Sequence, residues 1–250
     1  MSHSQDSQTT DSSHQNSQGW QATSRSTSQH SGRTPFLWNP GQHLTVVAET
    51  GLGKSTLMEW LSRQRRYKIL LRSKPDEVEW RQERTISRAS QLKTAKYDSF
   101  ELYPHGDKNA RAKEFHEALE YAYETGGWTV IIDELFYVSR LSLPAKNRRV
   151  LRLESDVEDL FTQGRSKHIT VMAGLQRPVA VTRFAISQSK HVLAGVMEAR
   201  DAKELSLATS RQMEVVVQNL NDYEFAWFSR PHSIMIVKLN VESQELEVLE

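Results

Sequence analysis

The residues best placed to do chemistry lie in one run, Leu44-Thr45-Val46-Val47-Ala48-Glu49-Thr50-Gly51-Leu52-Gly53-Lys54-Ser55-Thr56. An apolar strand, a glycine-bearing turn and a Lys-Ser pair opening an amphipathic stretch make the layout of a phosphate-binding loop, G-x-x-x-x-G-K-[ST]. Gly51 and Gly53 permit the backbone angles and close approach by which amides face phosphate oxygens. In that layout Glu49, Thr50, Gly51, Leu52, Gly53, Lys54, Ser55 and Thr56 surround the nucleotide. Lys54 reaches its β- and γ-phosphates and the Ser55 hydroxyl ligates Mg²⁺. The helix that begins near Gly53 adds its positive dipole end to the same site. Ala48 stands where the consensus has its first glycine, a small change that leaves the strand end intact. The ligand implied is a nucleoside triphosphate, ATP with Mg²⁺.

A second group of candidates follows a continuous apolar strand, Trp128-Thr129-Val130-Ile131-Ile132, which ends on Asp133-Glu134. Phosphoryl transfer to water needs held phosphates, neutralised charge and an oriented water. Asp133 suits the metal-holding role at the end of a buried strand, and Glu134 can orient or deprotonate the attacking water. Adjacent carboxylates after a strand can also cap a helix or lie in solvent; the phosphate loop favours the catalytic reading. Glu49 competes for the water-positioning role. Gln176, ending the strand Ile169-Thr170-Val171-Met172-Ala173-Gly174-Leu175, can sense the γ-phosphate or align the water. Arg165, before that strand, has the permanent charge and planar fork of an arginine finger offered to a neighbouring subunit's nucleotide. Arg177 competes for that role.

The elements that must position these groups alternate strand and helix. Strands are expected at about 43–48, 67–72, 128–134, 169–175 and 191–195, with Phe100-Glu101-Leu102-Tyr103 as a short edge strand. Helices are expected at about 54–65, 109–125, 150–162 and 203–218, and a hairpin joins 224–228 to 233–237 around Arg230-Pro231-His232. Leu57, Trp60 and Leu61 recur at the spacing of one apolar helix face. Alternation of this kind implies an α/β fold with a central, mostly parallel sheet and helices on both faces. Ligands in such sheets sit at the strands' C-terminal ends, where the phosphate loop, Asp133-Glu134 and Gln176 all fall. The charged stretch from Glu77 to Lys96 reads as solvated surface. Trp38 packs on the core or lies near the nucleotide base, core packing being favoured.

Residues 1–34 are Ser, Gln, Thr and His with Trp20 as the one large apolar side chain, the composition of a disordered tail. Residues 35–250 read as one ATPase domain with a C-terminal strand and hairpin extension. The formal net charge is +1 at pH 7, so any nucleic-acid contact must come from local patches such as Arg140, Lys146, Arg148, Arg149 and Arg152. There is no cysteine, which excludes disulfides and thiolate metal sites and suits a reducing cytoplasm. No apolar run long enough for a transmembrane helix is present, nor an apolar secretory signal.

Taken together, Ala48–Thr56, Trp128–Glu134 and Gly164-Arg165 … Gly174-Leu175-Gln176-Arg177-Pro178 resemble the FtsK–HerA superfamily of DNA-pumping ATPases. Its members carry a Walker A loop, an Asp-Glu Walker B, an arginine before the fourth strand and a glutamine ending it. The likeness covers roughly Leu44 to Leu205, with Ala48 as the departure. It implies a RecA-like core of strand order fifth, first, fourth, third, second, assembled as a ring, usually a hexamer. The compact size is similar to viral genome-packaging ATPases, which implies double-stranded DNA and a capsid or portal protein as partners. Host cytoplasm or a virion would be the location. Conjugation or mobile-element ATPases of the same superfamily are the alternative, as is a nucleotide switch or kinase without motor activity.

Overall fold

The structure, a computed structural model, describes residues 38–74, 80, 84–94, 98–144, 150–178, 183–231, 233–243 and 245–249. The Ser/Gln-rich stretch 1–34, and Lys146, Arg148 and Arg149 of the basic segment, lie outside the described residues.

The chain begins with β1 (Leu44–Val47), α1 (Lys54–Ser62), β2 (Lys68–Leu71), β3 (Arg84–Ile86) and β4 (Ser99–Leu102). Next come α2 (Lys108–Thr125), β5 (Thr129–Ile132), α3 (Leu135–Ser139), the short pair β6 (Ser142–Pro144) and β7 (Val150–Arg152), and α4 (Leu153–Gln163). Then follow β8 (Thr170–Leu175), α5 (Arg183–Gln188), β9 (His191–Ala194), α6 (Ala199–Ala208) and α7 (Arg211–Gln218). The chain closes with β10 (Glu224–Ser229), β11 (Ser233–Asn240) and β12 (Glu245–Leu249).

Ten of these strands form one sheet in the order β12-β11-β10-β9-β1-β8-β5-β2-β4-β3. Its centre, β9-β1-β8-β5-β2, is parallel throughout. Numbered among themselves, those five strands run fifth, first, fourth, third, second, the order the resemblance implied. The sheet is longer than that core on both sides. β4 and β3 extend it in parallel beyond β2, and β10, β11 and β12 extend it antiparallel beyond β9.

Every residue of the five central strands is buried, as unbroken apolar runs require when both faces are covered. Alternation along the strands divides the core in two. Ile69, Leu71, Val130, Ile132, Val171 and Leu175 face the side packed by α2, α4, α5, α6 and α7. Leu44, Val46, Leu70, Ile131 and Met172 face Leu57, Met58 and Leu61 of α1 together with Trp38 and Trp80. Each such fully buried side chain stabilises by about 1.5–3 kcal/mol relative to exposure. Trp38 is therefore a core residue, with the Arg65 guanidinium stacked over its ring at 4.2 Å.

Several local expectations change. The segment around Phe100 is not an edge strand, because β3 covers it, and the charged stretch before it buries Trp80 and Ile86. The helix expected at 150–162 starts at Leu153, preceded by the strand β7. The single helix expected at 203–218 is two, α6 and α7, with the break at Thr209-Ser210. Arg230 explains the break: its Nη2 donates to the Ala208 carbonyl at 2.8 Å, taking an acceptor that a continuous helix would have used. Among the described residues no helix is long and apolar enough to cross a membrane.

One position in β8 has no room for a side chain. A Cβ on Gly174 would sit 2.1 Å from the Asp133 backbone oxygen and 2.9 Å from Met58 Sδ. The first of these is backbone in the adjoining strand end and cannot turn aside. Gly174→Ala is expected to destabilise the chain by about 1–3 kcal/mol, the range for overpacked cores, and thermal denaturation should show a Tm several degrees lower. An unchanged Tm would contradict this packing.

Candidate active site

The loop after β1 is set by strand pairing first and by glycine second. Ala48 is buried, and its amide continues the ladder by donating to the Leu175 carbonyl at 3.0 Å. On the other side the Gly195 amide donates to the Val47 carbonyl at 2.9 Å. The left-handed angles of the loop fall later, at Gly51 (φ 88°) and Gly53 (φ 78°). Ala48 is not among the positive-φ residues, so the departure from the glycine consensus costs the loop no conformational freedom. Gly53 is the N-cap of α1 and supplies no side-chain acceptor, which leaves the first amides of the helix for an anion. Glu49, Thr50 and Gly51 are exposed, while Leu52, Ser55 and Thr56 are half-buried.

Lys54 points across β8 to β5. Its Nζ lies 3.2 Å from Asp133 Oδ1 and 3.1 Å from the Asp133 carbonyl oxygen. Ser55 Oγ donates to the same Oδ1 at 2.9 Å. Asp133 itself is 0% exposed, so its charge depends on these partners. Gly174 of the intervening β8 lies directly against the Asp133 backbone, with no room there for a side chain. A hydroxyl and a carboxylate oxygen side by side are hard donors of the kind Mg²⁺ accepts. Among the described residues no group of three or more His, Cys, Asp or Glu gathers that could hold a metal alone. A cation here would take its remaining ligands from water and phosphate, which is the habit of Mg²⁺.

Glu134 is 8% exposed and accepts a hydrogen bond from Gln176 Nε2 at 2.7 Å. Burial pushes its carboxyl pKa up from 4.5, the Asp133 charge adds to the rise, and Lys54, Lys74 and the Gln176 bond pull against it. The strand ends thus bring Lys54, Ser55, Asp133, Glu134 and Gln176 together. Arg165 is not with them. It lies exposed on the turn before β8, on the opposite rim of the sheet, where Gly41 packs against it. The six residues of β8, at about 3.3 Å each, separate it from its own phosphate loop. Arg177 stays on the loop side, exposed and loosely paired with Asp201 at 3.9 Å.

Lys74 was missed in the sequence. Its Nζ lies 3.4 Å from Asp133 Oδ2, so a second lysine approaches the carboxylate from the far side. The signal was present, since Lys74 follows the C-terminal end of β2, on the rim where ligands of such sheets bind.

No protein-family model matches the chain, and no curated protein matches it. Solved structures do. The genome packaging NTPase B204 from Sulfolobus turreted icosahedral virus 2, in complex with sulfate, superposes with a TM-score of 0.62 at 15% identity, covering 85% of this chain and 97% of that one. B204, the DNA-packaging ATPase from Sulfolobus Turreted Icosahedral Virus, gives 0.60 at 16% identity over 85% and 98%. VirB4 of Thermoanaerobacter pseudethanolicus gives 0.55 at 10% identity over 81% and 91%. The likeness is one of fold: the chain shares with these structures an α/β core built on a large, mostly parallel sheet.

The raised pKa of Glu134 has a measurable consequence. Folding lifts the value above 4.5, so the ionised carboxylate costs stability; the cost is absent well below that pH and grows as pH rises past it. Glu134→Gln, which keeps the shape and the bond to Gln176, is expected to melt at a higher temperature than the native chain at pH 7. The gap should close below about pH 4, where both forms are neutral. A variant that melts lower at pH 7 would show that burial does not dominate at this carboxyl.

Proposed function

We propose that the chain is an ATP-hydrolysing motor that translocates double-stranded DNA, and that it packages a genome into a viral capsid. The observation that carries the catalytic half is the meeting of Lys54 and Ser55 on one oxygen of buried Asp133, with Glu134 beside it. In this reading the loop amides and Lys54 hold the β- and γ-phosphates, and Ser55 with Asp133 holds Mg²⁺. The ion, when bound, neutralises charge that develops on the phosphate oxygens. Glu134 takes the proton of the attacking water as its oxygen bonds to the γ-phosphorus, and ADP leaves with the bridging oxygen. A carboxyl whose pKa lies above the usual range is a better proton acceptor than an ordinary surface glutamate. Gln176 fixes the rotamer of Glu134 through its amide. A water-activating glutamate at this point disfavours a kinase, which must keep water from reacting.

The motor half rests on the likeness of fold to the B204 packaging ATPases and on the position of Arg165. An arginine on the far rim from its own site suits a ring, most simply a hexamer, in which it reaches the neighbour's triphosphate. Duplex DNA and a capsid or portal protein are the partners proposed, with the host cytoplasm as the place of work. Conjugation or mobile-element transport is the second reading, favoured by the likeness to VirB4.

Two experiments test the proposal. ATP turnover, measured with and without duplex DNA alongside solution mass, should rise with DNA and fall at least about 10²-fold in Glu134→Gln. Turnover that survives that substitution would end the catalytic assignment. Chains carrying Arg165→Ala or Lys54→Ala should each be inactive alone and should recover activity when mixed, because intact loop and intact arginine then meet across an interface. Failure to recover would remove Arg165 from the site.

A further inference from the structure

The C-terminal extension of the sheet touches the phosphate loop. A Cβ on Gly53 would lie 2.9 Å from Leu239 Cδ2 and 3.1 Å from Tyr223 Cδ1. Leu239 is fully buried and forms the floor of this contact, whereas Tyr223 is 36% exposed. Tyr223 is also held in an uncommon backbone state, φ 63°, shared among the described non-glycine residues only with His168. A bulky side chain there is strained, and the surroundings enforce it. The Tyr223 carbonyl accepts from the Leu239 amide at 2.9 Å, and buried Glu224 accepts from both the amide and the side chain of Asn221 at 3.0 Å.

The strand order says which end of a nucleotide this ring would meet. Asp133, Glu134 and Lys74 occupy the ends of β5 and β2, so the γ-phosphate and its cation belong on that side of the loop. With the γ-phosphate on that side, the β9 and β10 side of the loop is the one left for the nucleoside. Tyr223 stands there, immediately before β10, and is partly exposed.

We propose that Tyr223 stacks on the nucleobase of the bound triphosphate, and this rests on the triphosphate-site reading above. The contact uses the π-face that every base presents, so it anchors the base without choosing among bases.

Calorimetric titration of the full chain with ATPγS and, separately, inorganic tripolyphosphate, both with Mg²⁺, tests the idea. Tyr223→Ala should weaken ATPγS about tenfold and leave tripolyphosphate unchanged, and Tyr223→Phe should match the native chain for both. Where the alanine variant fails to fold, Tyr223→Asn carries the same comparison, because asparagine accepts the left-handed backbone more readily. Equal weakening of both probes would mean that the ring only props the loop, and undiminished ATPγS binding would mean that no base reaches it; either result overturns the stacking. Lys54→Ala should weaken both probes. A native chain that binds neither overturns the triphosphate site itself, an outcome distinct from losing the stack alone.

Discussion

The arrangement depends on keeping one carboxylate charged where water does not reach. Asp133 ends a central strand with no exposed surface, and an isolated charge there would be too costly to keep. Lys54 and Ser55 meet one of its oxygens and Lys74 meets the other. Removing a partner from such a group costs more than the pair itself contributes, because the remaining charge stays buried. The same dependence makes the site receptive: cations already gather where a metal and a polyanion would be held. The loop, two strand ends and a glycine without a side chain are therefore one electrostatic unit.

That unit imposes its geometry on the neighbouring elements. β8 separates the loop from β5, and only a glycine at position 174 fits against the Asp133 backbone that Lys54 reaches. Burial then acts in opposite ways on the adjacent acids. Asp133 is compensated by direct cationic contacts, while Glu134 keeps a raised pKa beside a neutral amide. Two carboxylates one residue apart are thus suited to different tasks, holding charge and moving a proton.

The opposite rim has a different character. Arg165 stands there without access to its own site, and the segment that carries it is fixed by the turn before β8. A group whose chemistry matches a phosphate is thus held where it cannot reach its own loop, and the proposed ring is what would give it a triphosphate to meet. The C-terminal strands, by contrast, reach the site within the chain. They widen the sheet past β9 and bring Tyr223 and Leu239 against Gly53.

The glycine-bearing loop, the acidic pair and the strand-ending glutamine were legible in the sequence as groups at strand ends because they rest on local signals, whereas the five-strand order came only from the resemblance. Glycine and lysine spacing, continuous apolar strands and the rule that ligands sit at strand ends need no knowledge of distant packing. What the sequence hid was decided by contacts far apart in the chain. The apolar periodicity of Ala202, Leu205, Met213 and Val217 fits one helix, and Arg230, in the turn after β10, is what claims the carbonyl at the break. Trp80 and Ile86 sit among charges, so only the covering of β4 reveals their burial. Lys74 and Tyr223 carry no motif, since a cation or a ring has meaning at a phosphate site only by its direction of approach. Residue type and spacing determined the chemistry available to this chain; the crossing of strands determined which residues share it.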